Sequence, residues 1–462
     1  MGGRRPKLRS RWGRAAIGLQ VAFGQPAPHS GVRRCLAAGV LAAGLVVANG
    51  AGQPAQQALE LTLQQAEKIA AQNNPRVSAA RYNAAASAEV PKEYRANYQP
   101  TAVANLTAAG AGDGTRLAAG ALNNPIIYNR FASGIGISQL ITDFGRTSNL
   151  VGSAQAHAQA ETENSNATRA DVLLATDSAY FSVLRSQSVL TVAEQTVAAR
   201  QLVADQISVL AKNSLKSNLD VSFANVNLAE AKLLLANAQN ELKAATARLA
   251  NALVYPNQRY FKLADEPLPP APPDTVQQLI AEAVRDRPEL AGMRYEQESA
   301  ARMTKAEHSL WYPSISLAAN AGLVPAGVSE LQSQYGAVGA NISIPILNGG
   351  LFKARRNAAE LRERSAQENV KELENRVVRD VQVAYLNAMN GYERLGLTSQ
   401  LLDQAKLALD LAQSRYDLGL SSIVELSQAQ LNLTSAQIAQ TSARYDYQSQ
   451  WSALQYQIGA LR

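Results

Sequence analysis

Trp311-Tyr312-Pro313-Ser314-Ile315-Ser316-Leu317-Ala318-Ala319-Asn320-Ala321-Gly322-Leu323 alternates with a period of two. Trp311, Pro313, Ile315, Leu317, Ala319, Ala321 and Leu323 fall on one face, with Ser314, Ser316, Asn320 and Gly322 among those on the other. Successive side chains of a strand point to opposite sides, so this pattern predicts a β-strand with one apolar face and one small or polar face. Three other segments repeat it. Val338, Ala340, Ile342, Ile344 and Ile346 oppose Gly339, Asn341 and Ser343; Phe131, Ile135, Ile137 and Ile141 oppose Gly134, Gly136 and Ser138; residues 99–109 carry a weaker version. A strand that crosses a bilayer needs about 9–11 residues, apolar toward lipid and small or polar toward a lumen. All four segments are long enough. Tyr94, Tyr98, Tyr128, Phe131, Trp311, Tyr312 and Tyr335 gather near strand ends, as an aromatic girdle does, although aromatics also cap soluble sheets.

The sequence around these strands is helical. Ala224, Leu228, Ala231, Leu235, Ala238, Leu242, Ala245, Leu249 and Ala252 step by four and three without a miss, and Leu402, Ala405, Leu409, Ala412 and Tyr416 continue the pattern farther on. This is a coiled-coil seam with small residues at alternate contacts, which lets helix axes approach closely. Helices are expected over about 62–95, 146–212 and 218–253, and again over 274–309, 351–417 and 423–460. A helix of about 67 residues is a rod of roughly 100 Å, longer than a globular core requires. The two shorter helices of each set sum to about the length of the long one, so four rods side by side are expected.

The order repeats because the chain is read as a tandem duplication. Asn74-Pro75 with Arg81-Tyr82 matches Arg287-Pro288 with Arg294-Tyr295 at an offset of 213, and Tyr98 to Pro100 is echoed by Trp311 to Pro313. Farther along the offset is 205. Ser178-Ala179-Tyr180 pairs with Val383-Ala384-Tyr385, and Leu215, Asp220, Ala224, Asn227, Leu228 and Ala231 pair with Leu420, Glu425, Ala429, Asn432, Leu433 and Ala436. The expected organisation is a first repeat over 59–265 (helix, two strands, long helix, shorter helix), a Pro-rich linker over 266–273, and a second repeat over 274–462.

Four strands cannot close a barrel, and an open strand edge is not tolerated in lipid. Closure requires oligomerisation. Three chains supply twelve strands, and their rods continue the barrel as a helical tube. The expected fold class is therefore mainly α with a membrane β-barrel part: a long antiparallel coiled-coil tunnel with four strands per chain, closing as a 12-stranded barrel in a trimer.

The formal charge of +7 is misleading. Eight of the 44 basic residues precede residue 51, where no acid occurs, which leaves 36 basic against 37 acidic residues beyond it. The body has no electrostatic footprint for nucleic acid. Arg33-Arg34, the apolar run Leu36 to Ala48 and the small residues Asn49, Gly50 and Ala51 have the three-part layout of a secretory signal peptide, so residues 1–50 are read as a leader cut between 48 and 58. The run is shorter than the roughly 20 residues of a membrane anchor. Arg33-Arg34 fits twin-arginine export as well as an ordinary positive n-region. Cys35, the only cysteine, precedes the apolar run, whereas an acylated cysteine would follow it. No later stretch has 18 consecutive apolar residues, so a membrane location requires a closed barrel.

Over nearly all of residues 59–462 the chain resembles the TolC-like outer-membrane efflux protein family. The resemblance rests on Ser343-Ile344-Pro345-Ile346-Leu347-Asn348-Gly349-Gly350 at a strand-to-helix swivel, its echo Leu140 to Gly145, and Tyr416-Asp417-Leu418-Gly419 with Ile423-Val424-Glu425-Leu426 and Ala429-Gln430 at the second helix hairpin. It implies a homotrimer in the outer membrane of a Gram-negative-type bacterium. Its periplasmic tunnel would be closed at the tip and opened by a proton- or ATP-driven inner-membrane pump and a periplasmic adaptor, in efflux or type I secretion. Physics assigns Asp220 and Glu425 to equivalent turns, where a trimer forms rings of carboxylates that attract cations. A plain preference of acids for helix N-termini places them there equally well. The resemblance implies a gate made of Glu425, Asp220, Gln428, Tyr416 and Ser421, with Tyr416 bonding Asp220. Ser421 stands where some members carry a basic latch and Gln428 where some carry a second acid, so a weaker latch and a less negative ring are expected. The resemblance further implies that Pro345, Gly349, Gly350 and Gly145 are the swivel residues.

An enzyme is not expected. The chain has His29, His157 and His308, none paired at metal-ligand spacing, and no nucleophile-base constellation; no metal or cofactor is expected. The Gly110 to Gly114 run follows a strand but opens no helix, so it reads as a turn and not a phosphate loop. The rival class is a secreted or periplasmic coiled-coil scaffold without a pore, which explains the heptads but not four alternating strands at matched places. A monomeric porin fails on strand number.

Overall fold

The computed structural model describes residues 59–112, 129–255, 261–327 and 332–461. The leader with its cleavage region and Cys35, Tyr128, and the turn beyond residue 112 lie outside the described residues. The chain runs β1 (Leu59–Leu61), α1 (Leu63–Asn73), α2 (Pro75–Ala96), β2 (Thr101–Ala109), β3 (Arg130–Thr142), α3 (Arg146–Lys212), α4 (Asn218–Ala252), β4 (Phe261–Leu263), α5 (Val276–Asp286), α6 (Pro288–His308), a 3-10 turn (Ser309–Trp311), β5 (Ser314–Gly327), β6 (Gln334–Ser343), α7 (Leu351–Asp417) and α8 (Ile423–Gln457).

The bounds expected for the two long helices are those observed. The helices expected over 62–95 and 274–309 are instead each broken in two, at Asn74-Pro75 and Arg287-Pro288. A proline disfavours helical geometry in the residue before it and is well placed at the first helical position. Asn74 and Arg287 are accordingly extended, and the Asn74 side chain accepts the Arg76 amide at 2.9 Å to cap the new helix. The helices expected to 253 and 460 end at Ala252 and Gln457.

α3 and α7 are 67 residues each, and α4 and α8 are 35 each. Residues with left-handed backbone recur 205 apart: Phe144 and Gly145 against Gly349 and Gly350, Ser214 against Gly419, Val254 against Gly459. α3 packs against α1, α2 and α4 as well as α6 and α8, while α7 packs against α5, α6 and α8. The predicted seam faces inward: Ala224, Leu228, Ala231, Ala238, Ala245 and Leu249 are buried.

The short strands β1 and β4 form a parallel pair that the sequence reading does not contain. They bring the start of α1 to the end of α4, so these shorter helices meet end to end against the middle of α3. Tyr180, fully buried there, donates to the carbonyls of Leu61 at 3.0 Å and Ala264 at 2.7 Å. Phe181, Leu249 and Leu253 complete this core. The Pro-rich joint has neither helix nor strand and is strapped onto α7 and α8. Tyr385 donates to the Pro273 carbonyl and Tyr447 to that of Pro270.

The remaining strands form one antiparallel sheet in the order β2-β3-β5-β6. Its register places Ala102 against Ile137, Ile137 against Ala319 and Ala319 against Val338, so one face is apolar across all four strands. That face is open: Leu106, Ile135, Ile137, Leu323, Val338 and Ile342 are all exposed. The other face carries Gly134, Gly136, Ser138, Asn320, Gly322, Gly339 and Asn341. The outer edges of β2 and β6 are unpaired among the described residues. Trp311 and Pro313 precede β5, and β6 ends at Ser343, so Ile344 and Ile346 are not in the strand as expected; Pro345 has no amide hydrogen to continue a ladder. No described helix is long and apolar enough to cross a membrane.

Candidate functional site at the helix hairpin tips

Two hairpin turns lie at the far end of the rods from the sheet. α3 ends in a tight turn in which the Leu215 amide bonds the Leu210 carbonyl at 2.9 Å and Ser214 takes φ 61°. α7 ends the same way, with Leu420 bonding the Arg415 carbonyl at 2.8 Å and Gly419 at φ 72°. This geometry satisfies last-turn carbonyls and reverses the chain. Ser217 and Ser422 then cap α4 and α8, each hydroxyl accepting the amide three residues on.

Those third residues are Asp220 and Glu425, and their carboxylates do different things. Asp220 Oδ2 accepts from the Ser217 amide at 3.0 Å and the Ser217 hydroxyl at 2.9 Å, which closes a reciprocal capping box. Glu425 leaves its cap residue and pairs with Arg415 Nε at 3.1 Å, both side chains about half exposed. An ion pair so exposed contributes only ~0–1 kcal/mol. Gln428, exposed, donates to Asn432 at 2.9 Å, and the Ser421 hydroxyl is buried without a hydrogen-bond partner among the described residues.

Within the chain Tyr416 does not bond Asp220. Its hydroxyl is buried and has no partner among the described residues, while its ring lies under the Lys216 ammonium at 4.2 Å. Lys216, Arg415 and Arg200 escape the sequence reading. The signal for the first two was a basic residue beside each turn; nothing marked Arg200, which is buried on α3 and reaches the Ser427 carbonyl at 3.5 Å. Asn227 donates to the Ser427 hydroxyl at 2.8 Å, so polar contacts bridge the two hairpins. Beneath them Ile207, Ala224, Leu228, Ile423 and Leu426 form a shared apolar core. At the tips themselves Leu215, Leu219, Leu418, Leu420 and Val424 are exposed.

At the other end, Gly145 (φ 98°) and Gly350 (φ 84°) are the N-caps of α3 and α7, a backbone conformation that residues with a side chain rarely adopt. Strand and helix therefore join through two consecutive left-handed residues, Phe144-Gly145 and Gly349-Gly350. Pro345, Leu140, Arg146, Tyr312 and Phe352 line a cavity of about 560 Å³ at this junction. Tyr98 precedes β2; Trp311 stacks edge-on with Phe352 and Tyr312 lies against Phe144, so these aromatics sit at the helix end of the sheet, with Phe131 toward the other end of β3. Tyr335 departs from the girdle expected of it. It pairs with Gly322 and covers Gly134 on the small-residue face, because it lies an odd number of residues from Val338.

The chain matches the family described as "Outer membrane efflux protein" over residues 55–253 and 279–460. It is 25% identical over 325 residues to the outer membrane efflux protein BepC of Brucella suis biovar 1 (strain 1330), covering 68% of each chain. It is 26% identical over 298 residues to the outer membrane protein TolC of Escherichia coli (strain K12), covering 60% of this chain and 59% of that protein. The crystal structure of CusC superposes with a TM-score of 0.74 at 19% identity, covering 86% of this chain and 92% of that one, which is a likeness of fold.

Proposed function

The chain belongs to the outer membrane efflux protein family, and on that premise we propose that it is the outer-membrane exit duct of a tripartite efflux pump or type I secretion system, built as a homotrimer. It is an outer-membrane channel protein with a periplasmic helical tunnel, in a family of channels and not of enzymes. One observation carries the trimer: a four-stranded sheet with an exposed apolar face and two edges unpaired among the described residues. Lipid satisfies the face but not the edges, so β2 of one copy pairs with β6 of the next until twelve strands close. The helices below continue the same circle.

The chain is read as two halves, 59–265 and 274–462, joined by 266–273, behind a leader over 1–50. The recurrence of left-handed residues at one offset supports this duplication. The gate is formed by Tyr416, Asp220, Glu425, Gln428 and Ser421, with three Glu425 and three Asp220 at the aperture. Arg415 offsets part of the Glu425 charge. The exposed Leu215, Leu219, Leu418, Leu420 and Val424 present the apolar tip on which a periplasmic adaptor docks, and an inner-membrane pump delivers the cargo through it.

Ion conductance of the purified protein in planar bilayers tests this reading, with Glu425→Ala beside the parent. Discrete conductance steps from a heat-resistant trimer, with cation selectivity weakened by the substitution, are the expected result. A soluble elongated particle that never inserts overturns it.

A further inference from the structure

We propose that His157, Glu161 and Glu296 form a binding site for a divalent transition-metal ion of the zinc class that clamps α3 to α6. His157 and Glu161 are four residues apart on α3 and share a face. The sequence alone shows no third ligand. The fold supplies Glu296 from α6, with its Oε1 at 2.6 Å from His157 Nδ1, and one ligand atom from each of the three residues lies within 4.8 Å of the other two. Imidazole nitrogen and carboxylate oxygen are both zinc ligands, bound at about 2.0–2.2 Å, and three protein ligands leave a fourth position for water. His157 and Glu296 are 46% and 38% exposed, which leaves an entry path from solvent.

The positions of these donors are fixed by the backbone. One turn to either side of the His157–Glu296 level the two helices are pinned together. Ser153 Oγ bonds the Ser299 hydroxyl at 3.0 Å and the Ser299 carbonyl at 2.9 Å. On the other side Gly292 lies so close to α3 that an added Cβ would stand 3.3 Å from the Ala160 carbonyl oxygen. Asn164 donates to Glu161 Oε1 at 3.2 Å and orients that carboxylate. The donors thus converge on α3 and α6 without requiring a loop to order.

A simple ion pair between protonated His157 and Glu296 has the opposite pH dependence. It needs the protonated imidazole, whereas a metal needs the neutral ring and binds more tightly as pH rises. The test is titration of the detergent-purified, full-length protein with Co²⁺ and then Zn²⁺, in a Glu425→Gln background that removes a competing aperture ligand. Expected are a visible Co²⁺ absorption band displaced by Zn²⁺, tighter binding at pH 7.5 than at pH 5.5, and a Zn²⁺-dependent rise in Tm. His157→Ala and Glu296→Gln should each weaken binding at least about tenfold, with helicity by circular dichroism unchanged because both side chains are exposed. Equal Co²⁺ affinity in parent and variants overturns the site, as does the absence of any histidine-dependent Co²⁺ spectrum. If Glu425→Gln alone abolishes binding, the ion belongs to the aperture and the proposal fails.

Discussion

The Lys216 ammonium sits 4.2 Å from the centroid of the Tyr416 ring, joining the turn that leads into α4 to the last turn of α7. The two hairpin tips are therefore held by a cation on an aromatic face, while the tyrosine hydroxyl has no partner among the described residues. Such a contact contributes about 0.5–2 kcal/mol. If separating the tips opens the aperture, Lys216→Ala should raise open probability several-fold in bilayer recordings, and Tyr416→Leu should do the same. Tyr416→Phe keeps the ring and should leave gating unchanged. Opening by the phenylalanine variant would show instead that the hydroxyl is the latch.

Val254 and Ser214 take φ 60° and 61° where Gly459 and Gly419 stand 205 residues later. A left-handed residue with a Cβ costs roughly 1–2 kcal/mol, and a β-branched one is a clear outlier. Replacement by glycine removes that strain at a smaller cost in unfolded-chain entropy. Val254→Gly should raise thermal stability and Ser214→Gly should do so less, since serine is not branched at Cβ. A fall in Tm for Val254→Gly would mean that its packing outweighs the strain.

The long helices were legible to the residue because Gly145 and Gly350 begin them and the reversals after Lys212 and Asp417 end them, all local signals. The strands were legible from period two. Asn74-Pro75 and Arg287-Pro288 were equally visible but read as repeat markers, when their first consequence is to break a helix. What escaped was non-local. Nothing near Leu59 announces a pairing with Phe261 some two hundred residues away, and nothing near His157 announces Glu296. At the hairpin tips, position alone singled out Asp220 and Glu425, yet their partners Ser217 and Arg415 depend on rotamers that spacing does not set.

Tyr180 joins three parts of the chain through one hydroxyl, bonded to the Leu61 and Ala264 carbonyls from the middle of α3. The Leu61 carbonyl also accepts the Ala264 amide, so loss of the phenol leaves the Ala264 carbonyl the poorer. A hydrogen bond to a part-buried carbonyl contributes about 0.5–1.5 kcal/mol. Tyr180→Phe should lower stability by that amount and raise amide exchange at Ala264 before any change appears at the hairpin tips. Uniform loss of protection along α3 would contradict a role confined to this junction.

Asp177, one turn before Tyr180 and almost fully buried, lies beside Glu67 of α1; burial and that neighbouring carboxyl push its pKa up to about 8. Burial raises Glu67 as well. An aspartate in the unfolded chain ionises near pH 3.9. Between that value and about 8 the folded chain binds the extra proton, so this site's contribution to stability is complete in acid, falls as pH rises through the window, and is constant above it. Asp177→Asn holds a neutral group in the same place at every pH. The substitution should therefore stabilise the protein most at pH 8, less at pH 5 and least below pH 4, and flatten the dependence of Tm on pH across that range. A variant whose Tm follows the same slope as the parent would show that Asp177 is ionised in the fold at neutral pH.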